Sequence, residues 1–430
     1  MEILVIDPFK NSSPHFKEVG LVTAYKSVIW DVQLYGLGEF DLVVPATDEN
    51  LNLLKIDRFL CRAEDVQSGP IYKNVMIIRN IDIEWNPDEG YMMHITGKSL
   101  KDILNQRIIW FQITATDVEL TELIADIIYQ NIVDPVQYVH DMIAELTTEV
   151  NDAQQAALDA ETAYDEAVAQ YGEDSDEAKE AKKAMEEAET YAERMTNRWE
   201  NAVEDEDNQT GRAIPYFNQF MIWPSGITEP EFEEIQLHGE QIGNWMEKIC
   251  TEYGFGWELE IASDSIGIQA IVGTNLSSTV IFSPDYDNLV NAITRFSTDN
   301  YHNGGQVGGE GEGLDQIKVK IGNKTGYNLY ELYINGQGVS QNAGDIPKSK
   351  YKKMLKQYGN TEIQRYIQWK FVEGSINPDG MFKMGVDYTI GDIVKIDPQK
   401  GVTGNFRLVE IIDSEDASGT QTVGTFEEVN

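Results

Sequence analysis

The sequence predicts an α+β fold, mainly β, in which two β-rich regions and a small α+β region are interrupted by an inserted antiparallel helical hairpin. Three observations predict it. Apolar residues alternate with polar ones in short runs between 28 and 96, the period of strands with one buried face. From Leu146 to Ala202 they recur instead at steps of four and three, the seam of a coiled coil. Strand-like runs return after Ile317 and continue to Phe426. At 430 residues the chain is too long for one core and suggests three or four domains. These are a first β domain at 1–115, a helix with the inserted hairpin at 116–214 (the hairpin at about 138–204), an α+β domain at 215–313 ending in a glycine-rich connector, and a second β domain at 314–430.

In the first region Val28, Trp30, Val32 and Leu34 alternate with outward partners, and Gly36 to Glu39 turns the chain into Phe40, Leu42 and Val44. A hairpin with one apolar face is expected. Strands at 58–62, 75–85 and 91–96 follow, the last two joined by Asn86, Pro87, Asp88, Glu89 and Gly90, a turn composition. With no long helix between them, such strands suggest an antiparallel barrel or sandwich. A short helix at 99–104 and a strand at 110–114 complete the region. Thr116 with Glu119 reads as a capping box, opening a helix with Leu120, Leu123, Ile124, Ile127 and Ile128 on one stripe.

The hairpin seam is Leu146, Val150, Ala153, Ala157, Ala160, Tyr164, Ala167 and Tyr171, answered by Ala178, Ala181, Met185, Ala188, Ala192, Met195, Trp199 and Ala202. Gly172 suits a left-handed C-terminal cap and Asp174 with Glu177 a capping box, so the arms fold back there, each about 40 Å long. Beyond the hairpin, 220–223 reads as a strand. Glu240 to Tyr253 reads as a helix with Ile242, Trp245, Met246, Ile249 and Tyr253 on one face and Gly254 as its stop. Strands at 257–261, 267–272 and 279–282 precede a short polar helix or loop at 287–292. After the glycine-rich loop come strands at 317–321, 328–334, 363–371, 388–396, 406–412 and 422–426, with one helix at 349–358 stopped by Gly359.

The net charge is −40, and residues 141–207 alone hold 22 acids against 5 bases. Such a chain repels nucleic acid and anionic membrane unless a local patch reverses the sign. Cys61 and Cys250 lie far apart in apolar contexts, which gives neither a disulfide framework nor a metal spacing and fits synthesis in a reducing cytoplasm. The first residues lack the basic start and long apolar core of a leader. No segment approaches the roughly 20 apolar residues that a membrane span needs, so no membrane insertion is expected.

An enzyme needs convergent groups. His15, His94, His140, His238 and His302 are scattered, with no pair at zinc-ligand spacing. No Gly-x-Ser-x-Gly elbow occurs. Glu310 and Glu312 form a carboxylate pair of a kind that arises by chance in so acidic a chain. The run from Gly304 to Gly313 has no Lys, Ser or Thr directly after it to hold phosphate, and its two glutamates repel anions; a flexible connector is expected. No catalytic, metal or cofactor residue is assigned, and no enzyme is expected. Lys348, Lys350, Lys352, Lys353 and Lys356 form the basic cluster, either a solvated face or a contact for an acidic neighbour such as another copy of this chain.

The succession of features resembles the hub or tail-tip proteins of tailed bacteriophages. It includes Tyr25 to Trp30 with Gly38 to Pro45, Ile95 to Leu100 with Leu104 and Arg107-Ile108, Val280 to Ser283 with Tyr286 to Leu289, the glycine-rich loop, and Tyr388 to Val394. The resemblance covers the β-rich ends and the α+β middle but not the hairpin. It implies two tube-like antiparallel β-barrel domains per chain and a homotrimer whose barrels form a ring at the end of a phage tail or related contractile injection device. The expected partners are other copies of the chain, the distal tail or tail tube protein, the tape measure protein, and receptor-binding or other baseplate proteins. The genome would pass through the lumen without specific binding, and an acidic wall would let it slide. The expected place is the virion tail tip, after synthesis in the bacterial host cytoplasm. The rival readings are a tail-associated cell-wall hydrolase, and a carbohydrate-binding adsorption module in which Trp110 or Trp369 stacks on sugar.

Overall fold

The computed structural model describes residues 1–366, 369–397 and 403–429, apart from the side chains of 218–220 and 369. The chain divides into two compact units, Met1–Ile127 with Tyr216–Asn430, and Ile128–Pro215.

The first unit begins with β1 (Ile3–Asp7), β2 (Lys17–Val22), β3 (Ser27–Gln33) and β4 (Glu39–Pro45), then α1 (Asp48–Leu53). Next come β5 (Phe59–Arg62), the two-residue strands β6 (Val66–Gln67) and β7 (Ile71–Tyr72), and the long hairpin of β8 (Met76–Asn86) and β9 (Gly90–Ser99). Of the residues the alternation predicts to face inward, Val28, Trp30, Phe40, Leu42 and Val44 are buried in one core with Ile3, Val5, Leu60, Met93 and Ile95, Val32 is partly buried against it, and Leu34 is buried. Thr47 ends the strand and starts α1, its hydroxyl accepting from the Asn50 amide.

The next stretch differs from the sequence reading. Thr116 lies in a strand, β10 (Ile113–Glu119), and its hydroxyl donates to Glu234. Helix α2 (Leu120–Ile128) starts three residues later than the capping box suggests, with the Glu229 carboxylate accepting from the Thr121 amide. The expected boundary at 115 therefore cuts through β10.

In the second unit α3 (Pro135–Tyr171) and α4 (Asp176–Gln209) form the helical hairpin. At 37 and 34 residues the arms extend about 55 and 50 Å, longer than expected because Asp134 caps and Pro135 opens α3. Leu146, Ala153, Ala178, Ala192, Met195 and Ala202 of the seam are buried, whereas Tyr171 at the turn is exposed. Gly172 has φ 88° and ψ 153°, positive φ without the left-handed helical cap. Ser175, not Asp174, caps α4 by accepting from the Ala178 amide.

The first unit resumes with β11 (Phe217–Ile222), β12 (Glu231–Leu237), α5 (Ile242–Tyr253), β13 (Gly256–Ala262) and β14 (Ser265–Ile271). β12 pairs with β10, and Gly254 ends α5 in a left-handed cap as read. β15 (Ile281–Phe282) and β16 (Leu289–Ser297) follow. β16 replaces the short polar helix or loop expected at 287–292. Asn291 has φ 53° and the register slips between Val290 and Ile293, so a bulge hides the strand period.

The glycine-rich segment is not a flexible connector. It contains β17 (Gly304–Gly308), the central strand of a sheet with β18 (Lys318–Ile321) and β19 (Glu331–Asn335). The expected boundary at 313 thus falls inside a sheet. Helix α6 (Lys348–Glu362) covers it with Tyr351, Met354 and Leu355. Gly359 does not stop α6: it lies within the helix, where a Cβ would stand 2.3 Å from Val307 Cγ2, so glycine lets helix and sheet approach. The chain ends with β20 (Trp369–Ile376), β21 (Ile393–Ile396), β22 (Gly404–Asp416) and β23 (Gly419–Glu428) around a second core of Phe282, Leu289, Val372, Phe406, Leu408 and Phe426.

The two β-barrel-like halves share one sheet. Its order β16-β20-β23-β22-β3-β4-β9-β8 is antiparallel throughout. Beyond β8 it continues through β5 and β1 to β2. β22 and β3 join the halves, with Ile412 opposite Asp31 and Glu410 opposite Gln33.

Candidate functional site

Because side chains alternate across a strand, the register identifies the face of this sheet that turns away from both cores. Trp30 and Ile411 point into the cores, so Asp31 and Glu410 belong to the far face. Carrying the register outward places Glu39 and Asp41 there from β4, Asp82 and Glu84 from β8, Glu373 from β20 and Glu427 from β23. Among the described residues of these eight strands the bases on this face are Lys98, Arg407 and Arg295. These acids outnumber the bases and make it an acidic wall, and the Asp41 carboxylate lies 2.7 Å from His94 Nε2, accepting from it when that nitrogen carries the proton.

At the joint Asp31 is buried and Glu410 half-buried. Asp31 is 6% exposed, and Gln33 Nε2 donates to both Asp31 (2.8 Å) and Glu410 (3.1 Å). Asp31 Oδ1 has no hydrogen-bond partner among the described residues. Burial, then the Glu410 charge, pushes Asp31 up to about 7. Nearby Lys101 donates to the carbonyls of Gln33 (2.6 Å) and Gly36 (2.8 Å), and burial lowers it to about 8. A cavity of about 550 Å³ opens on the same face where α5 and the turn after α6 approach it, bounded by Gln33, Glu247, Arg365, Lys370, Glu373, Glu410 and Glu427. Burial raises Glu427 above the usual carboxylate range.

This arrangement predicts a pH effect. A carboxyl held up to about 7 when folded binds its proton more tightly than in the unfolded chain, so its contribution favours folding at low pH and is lost as pH rises through 7. Asp31→Asn is expected to raise stability by about 2 kcal/mol near pH 8 and by almost nothing near pH 4. Urea unfolding of both proteins across this range checks it; a difference independent of pH would refute the assignment.

The residues considered for chemistry are not brought together. His15 stacks on Tyr216 at 3.5 Å, His140 meets Glu206, and His302 lies beside Tyr366. Cys61 and Cys250 are buried free thiols whose pKa burial pushes up. Glu310 accepts from Ser340 Oγ and the Gln341 amide, tying down a loop, while Glu312 is exposed. Among the described residues no cluster of His, Cys, Asp and Glu could hold a metal, and no helix is long and apolar enough to cross a membrane. Trp110 is half-buried, and the side chain of Trp369 lies outside the described residues. Sequence reasoning missed the acidic wall, because its acids come from six separate strands that only the pairing aligns.

The fold is similar to that of solved phage tail proteins. The 43 kDa tail protein of prophage MuSo2 from Shewanella oneidensis is 14% identical, with a TM-score of 0.51 over 100% of this chain and 98% of that one. A tail protein from Neisseria meningitidis MC58 is 12% identical, with a TM-score of 0.48 over 99% and 96%. Prophage tail protein gp18 from Listeria monocytogenes EGD-e is 9% identical, with a TM-score of 0.44 over 100% and 96%. No curated protein matches the chain. Residues 5–425 match the model of the Siphovirus ReqiPepy6 Gp37-like proteins, and with nearly its whole length so matched the chain belongs to that family of phage tail proteins.

Proposed function

We propose that the chain is a structural hub at the distal end of a phage tail, where copies close into a ring with the acidic sheet face as inner wall. The observation that carries this reading is the run of eight antiparallel strands from β16 to β8, with β16 unpaired on its outer side and the outer half of β8 unpaired beyond its short contact with β5. Among the described residues β16 has a strand partner only in β20, and β8 from Arg79 to Asn86 only in β9. Unpaired backbone groups along such edges seek another strand. The edges are also partly apolar, with Ile83 and Trp85 exposed on β8 and Ile293 and Phe296 on β16. Pairing β8 of one copy with β16 of the next would satisfy both edges and continue the wall, and a rotation that closes gives a ring.

An inner wall with more acids than bases repels DNA phosphates, so the genome would slide past without binding. In this reading the chain works by assembly, three copies joining the tail tube to tape measure and adsorption proteins. Light scattering of the purified chain tests it. The expected mass is near three times 48.5 kDa, and a mass that stays at one chain at every concentration would overturn the ring.

A further inference from the structure

The structure carries a basic island that the ring reading does not use. Residues 301–366 hold nine Lys or Arg and six Asp or Glu, a balance of +3 in a chain of −40. On α6, Lys350 reaches Glu234 and Thr116, and Lys353 reaches Glu233, so these two hold the helix against β12. Lys348, Lys352 and Lys356 differ. They recur at every fourth residue on another flank of α6, are exposed, and have no ion-pair partner among the described residues. At 1.5 Å per residue they form a straight row with about 6 Å between charges.

The helical unit presents the complementary row. On α3, Asp141, Glu145 and Glu149 recur at the same interval, are exposed, and have no cationic partner among the described residues. We propose that the lysine row of α6 docks the acidic row of α3 belonging to another copy of this chain, a contact that rests on the ring reading and would brace neighbouring copies. Two helices side by side can match charges at equal intervals. Nucleic acid fits less well: three lysines cover about 12 Å of one helix flank, and the remainder of the chain carries −43, which repels a long polyanion.

Each exposed ion pair is weak and screened by salt, so the contact is read from self-association. Sedimentation velocity of the full chain at low and high salt would compare wild type with Lys348→Glu, Lys352→Glu, Lys356→Glu together, with Asp141→Lys, Glu145→Lys, Glu149→Lys together, and with all six. Circular dichroism would check that each variant folds. Each triple variant is expected to associate about tenfold more weakly at low salt, and the six-fold variant to recover to within about threefold of wild type. Failure of the combined variant to recover would show that the rows are not partners. Unchanged assembly in the lysine variant would remove this contact and leave the ring standing, whereas a wild type that never associates would remove both. Loss of binding to a labelled DNA duplex in the lysine variant, with self-association intact, would overturn the proposal in favour of nucleic acid.

Discussion

Replacing Arg62 with Met will lower the free energy of unfolding by about 4 kcal/mol, because it strands carboxylates at the joint of the two β-barrel-like halves. Arg62 is 4% exposed on β5, with Nε 2.5 Å from Asp65 and Nη1 2.5 Å from Asp413 on β22. Its guanidinium also lies 5.7 Å from the centre of the Trp30 ring. Burial disfavours its charge, but Asp65 and Asp413 more than compensate and raise its pKa. Met fills much of the volume and supplies no donor, so the loss reads the ion cluster and not a cavity. Adding Asp413→Asn should recover about 1 kcal/mol by removing one stranded charge, although Thr422 Oγ1 still bonds at that position. Urea unfolding followed by tryptophan fluorescence measures both. A loss below about 1 kcal/mol would mean that water reaches the cluster and screens it.

Arg62 also marks where sequence reading stops. The seam of α3 and α4 was legible because helix periodicity is local: a residue and its neighbour four positions on share a face whatever the rest of the chain does. The hairpin β3-β4 was legible for the same reason, as was the Gly254 cap. Nothing local announces that β22 lies beside β3, with Glu410 and Gln33 separated by 377 positions. That pairing fuses the two end regions into one sheet and aligns the acids of the candidate wall. Two local errors have physical causes as well. Thr116 and Glu119 have the spacing of a capping box, but β12 supplies Glu234 to Thr116 and so holds it in a strand. In β16 the bulge at Asn291 interrupts the alternation, and this strand forms one of the two open edges on which the ring reading depends.

The glycine-rich segment offers the sharpest contrast between the two levels. Composition suggests a connector, for which an added methyl group would matter little. The structure predicts that Gly305→Ala will cost about 4 kcal/mol, from a backbone that alanine rarely adopts together with a clash that no side-chain rotation can relieve. Gly305 has φ 151°, and a Cβ there would stand 1.9 Å from the carbonyl oxygen of Leu332 and 2.7 Å from its nitrogen. Both are backbone atoms of β19, so the parallel pairing of β17 with β19 would have to open. Gly313→Ala is the control. Gly313 also has positive φ, at 57°, but among the described residues no atom beyond its chain neighbours lies within 4 Å of its would-be Cβ, and a loss of about 1 kcal/mol is expected from backbone strain alone. Hydrogen exchange on the two variants would separate the cases, with amide protection in β17, β18 and β19 collapsing only in Gly305→Ala. Equal, small effects at both positions would restore the connector and detach α6, with its lysine row, from the sheet that fixes it.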